Sequence, residues 1–528
     1  MLPPQDLLTP SALPFDEAAL LLNPRDSVAI AKITLPPGTT LLGRDDIPTL
    51  ILRHPIPWGH KIALKQISLG ETVYRYGQVI GLATRPIQPG DYVHVHNLAI
   101  PEERQEFLPK EGNQPVKPLP EKERRTFQGY LRENGQVGTR NYIAVIPTVN
   151  CSAHVCREIA HHFTPEKLHD YPNVDGVIPI SHSSGCGLGV GTPDYITLQR
   201  TLAGMARHPN VGASLLIGLG CEGNNPNDLA DNCGLCSGPV SLPISPTIYT
   251  IQETGGIRKS IQAGMQAVEK VLPLVNAARR TSQPISGLKL ALQCGGSDAW
   301  SGITANPLVG TVADHIVHQG GAVLLAETPE IFGAEHLLAQ RAVNPEVAKR
   351  LLGAVRWWED YTRRMELNIE NNRSLGNAAG GLSTIYEKSL GAIAKGGSTP
   401  LTGVYEYAEP VTAPGLGFMN TPGYDPVSVT GQVAGGCNLV LFTTGRGSVF
   451  GFKPAPSIKI STNSQTYWRM SDDMDVNAGR LLEGKNIQTI ADELLELVIA
   501  VASGQPSKSE AQGVGEAEFI PWLVGGIT

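Results

Sequence analysis

Asn141-Tyr142-Ile143-Ala144-Val145-Ile146-Pro147-Thr148-Val149-Asn150-Cys151 is the stretch whose reading decides the fold of this chain. An apolar run of strand length opens into a polar loop, and the loop stops on a cysteine. The unit recurs three times. Asn173 to Ile180 is followed by Ser-His-Ser-Ser-Gly and Cys186, Ala213 to Leu219 by Gly220 and Cys221, and Leu288 to Gln293 by Cys294. In open α/β sheets ligands bind outside the carboxyl ends of the strands. Four strands that each end on a thiol therefore predict a site assembled along one sheet edge.

Outward from these runs, strands alternate with helical patterns, which predicts largely parallel sheets. Residues 128–285 form a first α/β domain. In it Ser152 is placed to cap a helix through Ala153 to Phe163, and Asp194 to cap Tyr195 to Ala206. Ile257 to Arg280 carries long helical periodicity. A second α/β domain spans 286–528, with a strand to Cys294, a helix Pro307 to Gln319, a strand Gly321 to Ala326 ending at Glu327, and a terminal helix Ile487 to Ser503. Upstream, SVAIAKITL, PTLILRHPI, KIALKQI, TVYRYGQVIG and DYVHVHNL are short runs separated by Gly and Pro, so 26–98 reads as a small β domain. Residues 1–25 read as an irregular extension, and the charged, Pro-rich 99–127 as a solvated linker.

Composition excludes several classes. A formal net charge of -7 leaves no basic footprint for nucleic acid or an anionic membrane. No apolar run approaches the roughly 20 residues that span a bilayer. The first residues lack a basic n-region, so a cytoplasmic protein is expected. Eight cysteines in so long a chain are not a disulfide framework. Cys156 and Cys437 read as small buried hydrophobes, and Cys233-Gly-Leu-Cys236 as a loop.

Chemistry is expected at several places. His94 and His96, at strand spacing, would share a face, with His60 and Lys61 nearby after a turn, and could bind metal or move protons. Arg140 can clamp a carboxylate bidentately, with Asn141 beside it. Cys151 precedes a helix N-terminus, which favours thiolate. Cys294-Gly-Gly-Ser297-Asp298 and Thr444-Gly-Arg446-Gly-Ser448 are small-residue loops fit to approach an anion. Neither matches a nucleotide-binding fingerprint, and no G-x-S-x-G elbow is present. Asp472-Asp473-Met-Asp475 reads as a solvated turn.

These loops resemble the altronate/galactarate dehydratase family. The matching blocks are Gly59-His60-Lys61-Ile-Ala-Leu, Val-His94-Val-His96-Asn97, Asn134-Gly-Gln-Val-Gly-Thr-Arg140-Asn, Ile217-Gly-Leu-Gly-Cys221-Glu222, Cys294-Gly-Gly-Ser-Asp298, Ile331-Phe-Gly-Ala-Glu335, Lys388-Ser-Leu-Gly and Thr444-Gly-Arg446-Gly. The resemblance implies an N-terminal SAF-type β domain and two larger domains. It implies a cytoplasmic hydro-lyase that removes water from a sugar acid to give a 2-keto-3-deoxy acid, with D-altronate the expected substrate. Galactarate or another 2-hydroxy acid such as sulfolactate is the alternative, and an inactive sugar-acid binding protein the non-enzyme one. It also implies a divalent metal, Fe2+ or else Mn2+, with an iron–sulfur cluster as the alternative. Cys151, Cys186, Cys221 and Cys294 are the expected ligands. His60, Lys61, His94 and His96 are the expected acid/base groups, and Arg140, Asn141, Ser297, Asp298 and Arg446 the expected substrate contacts. A homo-oligomer is compatible with this reading. Three positions depart from the family pattern: Ala378 stands where a lysine is usual, Ser184-Gly-Cys186 replaces Tyr-Gly-Cys, and Ser448-Val449-Phe450 replaces Thr-Pro-Tyr.

Overall fold

The apolar runs form two parallel sheets, seen in a computed structural model that describes residues 12–44, 46–101, 113–237, 242 and 244–525. The middle domain runs β1 (Tyr142–Pro147), α1 (Asn150–His162), β2 (Gly176–Pro179), α2 (Pro193–Ala206), β3 (Val211–Gly218), β4 (Thr247–Thr250) and α3 (Ile257–Asn276). Its sheet order is β2-β1-β3-β4, all parallel. Every residue of β1 is buried, as the centre of a helix-covered parallel sheet requires. From β1 the chain moves out to β2, and from β3 out to β4 on the other side. The topological switch point therefore lies between β1 and β3.

The third domain repeats the plan on a larger scale. It contains β5 (Lys289–Cys294), α4 (Ala305–His318), β6 (Ala322–Leu325), α5 (Ile385–Ile393), β7 (Leu401–Tyr405), β8 (Gly415–Met419), α6 (Asp425–Ala434), β9 (Leu439–Thr444), β10 (Ser457–Ser461), β11 (Val476–Asn477) and α7 (Ile487–Ala502). Its seven parallel strands lie in the order β7-β8-β6-β5-β9-β10-β11. Here the switch point lies between β5 and β9. The two glycine loops meet across it, where Gly445 N and Arg446 N both donate to Gly296 O, at 3.2 and 3.1 Å.

Four local expectations are corrected. Ser152 does not cap α1. It sits inside the first turn, where its hydroxyl donates to Val149 O and to Ile217 O of β3. The cap of α2 is Thr192, while the Asp194 carboxylate accepts from Val524 N and Gly525 N of the C-terminal segment. Helix α3 stops at Asn276, because Thr281–Pro284 is drawn into an antiparallel pair with Thr126–Gly129. That pair also makes the end of the expected linker part of a strand; residues 102–112 of the linker lie outside the described residues.

The β domain is antiparallel where it meets the rest of the chain. One sheet orders Ala19–Leu20, Val28–Ala31, Lys61–Ala63 and Tyr92–Val93. The expected irregular extension is thus structured from residue 12 onward, with Phe15 buried in that domain's core. Strand spacing does not continue through His94 and His96. The strand ends at Val93, and 94–97 is a turn closed by Asn97 N to His94 O (3.0 Å) and by His94 N to Asn97 Oδ1 (2.9 Å). Among the described residues no helix is long and apolar enough to cross a membrane.

Candidate active site

The β-domain register builds the first part of the site. Lys61 pairs with Val93, so the residues just beyond the ladder, His60 and His94, face each other. Their ring centroids are 5.0 Å apart. Tyr92 fixes His60, its hydroxyl lying 2.6 Å from Nδ1, while His60 Nε2 lies 3.4 Å from Ala379 O. His94 Nδ1 is held by Ser383 Oγ at 3.2 Å, and Nε2 carries no hydrogen bond among the described residues. Burial, reinforced by Lys61, holds the His60 imidazole down at about 4 and that of His94 at about 3. Both rings are neutral at neutral pH, and a neutral His94 Nε2 can accept a proton. The turn at 94–97 swings His96 out to solvent against Tyr92, so it does not share this face.

Lys61 is committed elsewhere. Its ammonium donates to both carboxylate oxygens of Glu387 on α5 (2.9 Å each) and to Gly381 O (2.6 Å), with no side-chain exposure on either partner. Arg75 donates to the same carboxylate and to Ala299 O. Burial pushes the Glu387 carboxyl up, but the two cations overcome this and hold it at about 2. This ion triad docks the β domain onto the third domain and sets the position of the histidine pair.

The next residue of α5 points into a different cluster. Lys388 donates to Glu330 Oε1 (2.7 Å) and to both oxygens of Asn372. Glu330 Oε2 accepts from the Cys294 thiol at 3.1 Å, and Lys395 Nζ lies 2.6 Å from the same sulfur. Glu327 completes the group. It sits past β6 with φ 67° and with neither carboxylate oxygen partnered, although the residue is 1% exposed. Burial, then Glu330 and Asp425, raise its carboxyl well above the usual range, and burial with Glu330 pushes Asp425 up to about 7. Three carboxylates thus face two lysines. Among the described residues, Cys294, Glu327 and Glu330 form the one His/Cys/Asp/Glu group whose donor atoms all lie within 4.8 Å of one another. Three carboxyl groups against two lysines, with both Glu327 oxygens orphaned, leave donor atoms that fit a divalent cation, which would displace the protons the raised carboxyls hold. Cys294 therefore parts from the other three thiols and joins this buried set.

Cys151, Cys186 and Cys221 follow β1, β2 and β3 and are exposed, without disulfides. Arg140 is not free to clamp a substrate. Its guanidinium is already bidentate to Glu510 (2.7 Å twice) and also donates to Thr139 O, Val501 O and Gln505 O. Asn141 is spent on Asn173 O and Val275 O. Asp298 is buried and accepts from Ser301, Trp300, Thr462 and Asn463, which ties the loop after β5 to the loop after β10. Asn377 donates to Ser297 O in the same loop. Arg446 alone of the expected substrate contacts is exposed, and its guanidinium has no partner among the described residues. Asp475 is more than a solvated turn, since its carboxylate accepts from Lys459 N and Lys508 N.

Sequence reading missed Glu330, Lys395, Asp425, Arg75, Glu387 and Arg373. Arg373 lies close enough for its charge to lower both Lys61 and His94, and its buried Nε is unpartnered. Lys388 and Glu327 were visible only as a family block and a strand end.

Fold and site together define a three-domain enzyme with a neutral histidine pair and a buried carboxylate–thiol cluster, tied to neighbouring residues of one helix: Lys61, next to His60, binds Glu387, and Lys388 binds Glu330. Three family descriptions match in chain order: altronate/galactarate dehydratase SAF domain over residues 17–101, D-galactarate dehydratase/altronate hydrolase second domain over 129–276, and D-galactarate/altronate dehydratase C-terminal over 285–526. The chain is 35% identical over 459 residues to altronate dehydratase of Bacillus subtilis (strain 168), covering 86% of this chain and 89% of that protein. It is 35% identical over 489 residues to altronate dehydratase of Escherichia coli (strain K12), covering 92% and 95%. Galactarate dehydratase (L-threo-forming) of Escherichia coli (strain K12) is 37% identical over 455 residues, covering 85% and 86%. The chain belongs to the altronate/galactarate dehydratase family.

Proposed function

We propose that this protein removes water from a hexonate, D-altronate first, to give the 2-keto-3-deoxy acid. The observations that carry this reading are a neutral His94 with one ring nitrogen open and a buried carboxyl–thiol group whose donor atoms lie within 4.8 Å of one another with both Glu327 oxygens unpartnered. Cys294, Glu327 and Glu330 would hold a divalent ion, Fe2+ in preference to Mn2+ because one donor is a thiol. When bound, such an ion supplies Lewis-acid stabilisation to charge developing next to the substrate carboxylate. The chain's own groups do the rest. His94 Nε2 takes the weakly acidic α-proton. The proton that His94 takes can return to the departing β-hydroxyl, relayed by His60, whose ring lies 5.0 Å away and is oriented by Tyr92. Arg373 and Arg446 receive the substrate carboxylate in place of the lysine absent at Ala378. Burial by the docked β domain keeps water from the proton transfers.

A second reading, galactarate as substrate, is favoured by the comparable identity to galactarate dehydratase. The test is release of 2-keto acid by the iron-loaded protein across a panel of aldonates and aldarates. The expected result is the highest kcat/KM on D-altronate. A preference for galactarate would replace the first reading by the second, and no turnover on any member would overturn both.

A further inference from the structure

Glu327 is held in a backbone conformation that costs free energy. We propose that Thr421, with Asn420 behind it, is a positioning residue that keeps Glu327 in the left-handed region and so keeps its carboxylate in the ion-binding set. The proposal rests on the reading of Cys294, Glu327 and Glu330 as ligands of a divalent ion. Cys294 and Glu330 are fixed by their own side-chain partners, Lys395 and Lys388. Glu327 has no partner on either oxygen. The place of its carboxylate is therefore set by its backbone. That backbone is left-handed, with φ 67° and ψ 71°. A residue with a Cβ stays there only when its surroundings hold it, and glutamate lacks the short polar side chain with which Asn or Asp bonds locally.

The hold comes from the neighbouring strand. β6 and β8 run parallel with Leu325 opposite Phe418, so Glu327 and Thr421 leave the sheet side by side. Beyond the strands the ladder gives way to a side chain. Glu327 N donates to Thr421 Oγ1 at 2.8 Å, and Thr328 N donates to Thr421 O at 3.0 Å. One residue thus grips both peptide groups that flank the Glu327 Cα, which is what fixing φ and ψ together requires.

The Thr421 hydroxyl is itself oriented. Ser428 of α6 donates to Gln293 Oε1 at 3.2 Å. The Thr421 proton is then directed to Ser428 Oγ (2.9 Å) or to Pro422 O (3.1 Å), and a lone pair stays free for Glu327 N. Asn420 steadies the next residue along. Its Oδ1 accepts from Thr328 Oγ1 at 2.7 Å and from the Trp358 indole at 2.9 Å. Trp358 stacks on Trp522 of the C-terminal segment, with ring planes 6° apart. Thr421, Ser428, Gln293, Asn420 and Trp358 are all buried. A paired, buried network therefore stands behind the one ligand whose own side chain is unpartnered. Residues that orient a metal ligand from behind act on affinity nearly as ligands do.

The experiment uses the full chain stripped of metal, with Mn2+ as the probe because the free ion is counted by its paramagnetic signal. Thr421→Val removes the hydroxyl at nearly constant shape, and Thr421→Ser restores it. Thr421→Val is expected to weaken Mn2+ binding about 10–100-fold, and Thr421→Ser less than about threefold. Affinities are read below the onset of unfolding of each ion-free variant, so a purely structural effect shows in the melt and not in the dissociation constant. Equal affinity in Thr421→Val and the wild type overturns the proposal, and so does a Thr421→Ser variant as weak as Thr421→Val. If Thr421→Val does not fold, Asn420→Ala takes its place: weakening of about threefold or more supports the proposal, and unchanged binding overturns it. Crystal structures of the ion-free wild type and variant give a reading that needs no metal. Glu327 is expected to leave the left-handed region in the variant; a Glu327 that keeps φ near 67° with its carboxylate in place overturns the proposal whatever the affinities. If the wild type and Glu327→Gln bind Mn2+ equally, the ligand reading fails, and the crystal structures alone decide whether Thr421 positions Glu327.

Discussion

On one side of α5, Lys61 and Arg75 share the single carboxylate of Glu387, and every charge has a hydrogen-bonded partner. On the other side, reached from the very next residue, Lys388 and Lys395 face Glu327, Glu330 and Asp425, and both oxygens of Glu327 are left without a partner. Both clusters are buried. A finished ion triad holds two domains together; an unfinished cluster, with two buried oxygens to spare, is built to receive something. The contrast separates scaffold from chemistry more sharply than residue type does, since lysine and glutamate serve in both.

The sharpest way to break the contrast is Glu387→Ala. It would strand two buried cations, so a loss of about 3–5 kcal/mol in urea unfolding is expected. A loss below 1 kcal/mol would mean that the triad does not dock the β domain. Next in size is His94→Ala, which leaves both clusters intact. Its kcat should drop about 10²–10⁴-fold with little change in unfolding. An equal loss of stability would move His94 from the chemistry to the scaffold.

The two regions should also tilt the pH dependence in opposite senses. The folded-state pKa values of His60 and His94 lie below the unfolded value, so the unfolded chain binds more protons as pH falls below 6.5. Their contribution is present above that pH and is lost on acidification. Between pH 6.5 and 5.5 the wild type should lose about 2 kcal/mol more than a His60→Gln/His94→Gln double variant. Glu327 and Asp425 act the other way: their raised values favour the folded state as pH falls and cost it stability as pH rises. The smallest effect follows from this. Glu327→Gln should stabilise the metal-free protein by about 1–2 kcal/mol at neutral pH and abolish divalent-dependent turnover. Calorimetry with and without chelator, alongside the activity assay, checks both halves.

Much of the architecture was legible in the residues. Apolar runs that end in polar loops gave both parallel sheets, and the β domain was visible from its short, Gly- and Pro-bounded runs. Strand order was not legible, because an apolar run buried on both faces carries no mark of its neighbours. Hence Cys294 grouped by pattern with Cys151, Cys186 and Cys221, although it belongs to a different sheet. The site was less legible still. Arg75 and Glu387 are 312 residues apart, and nothing local to either shows that they meet. Arg140 carried the right chemistry for a substrate clamp, but its partner turned out to be Glu510 of the same chain. His94 and His96 differ only in that a turn closed by Asn97 takes one inward and the other out.

The adjacency of Glu387 and Lys388 has a consequence for how such a chain can change over time. A helix cannot turn one residue without turning its neighbour, so the seating of the β domain and the charge around Cys294 are not separately adjustable. A substitution at the domain boundary that re-seats α5 by a fraction of a turn would be felt in the reaction as if a site residue had been replaced. Swapping in a β domain from a relative is, for the same reason, an edit at two addresses. The graft should work only when the donor's counterparts of Lys61 and Arg75 meet the carboxylate at the angle this helix already holds.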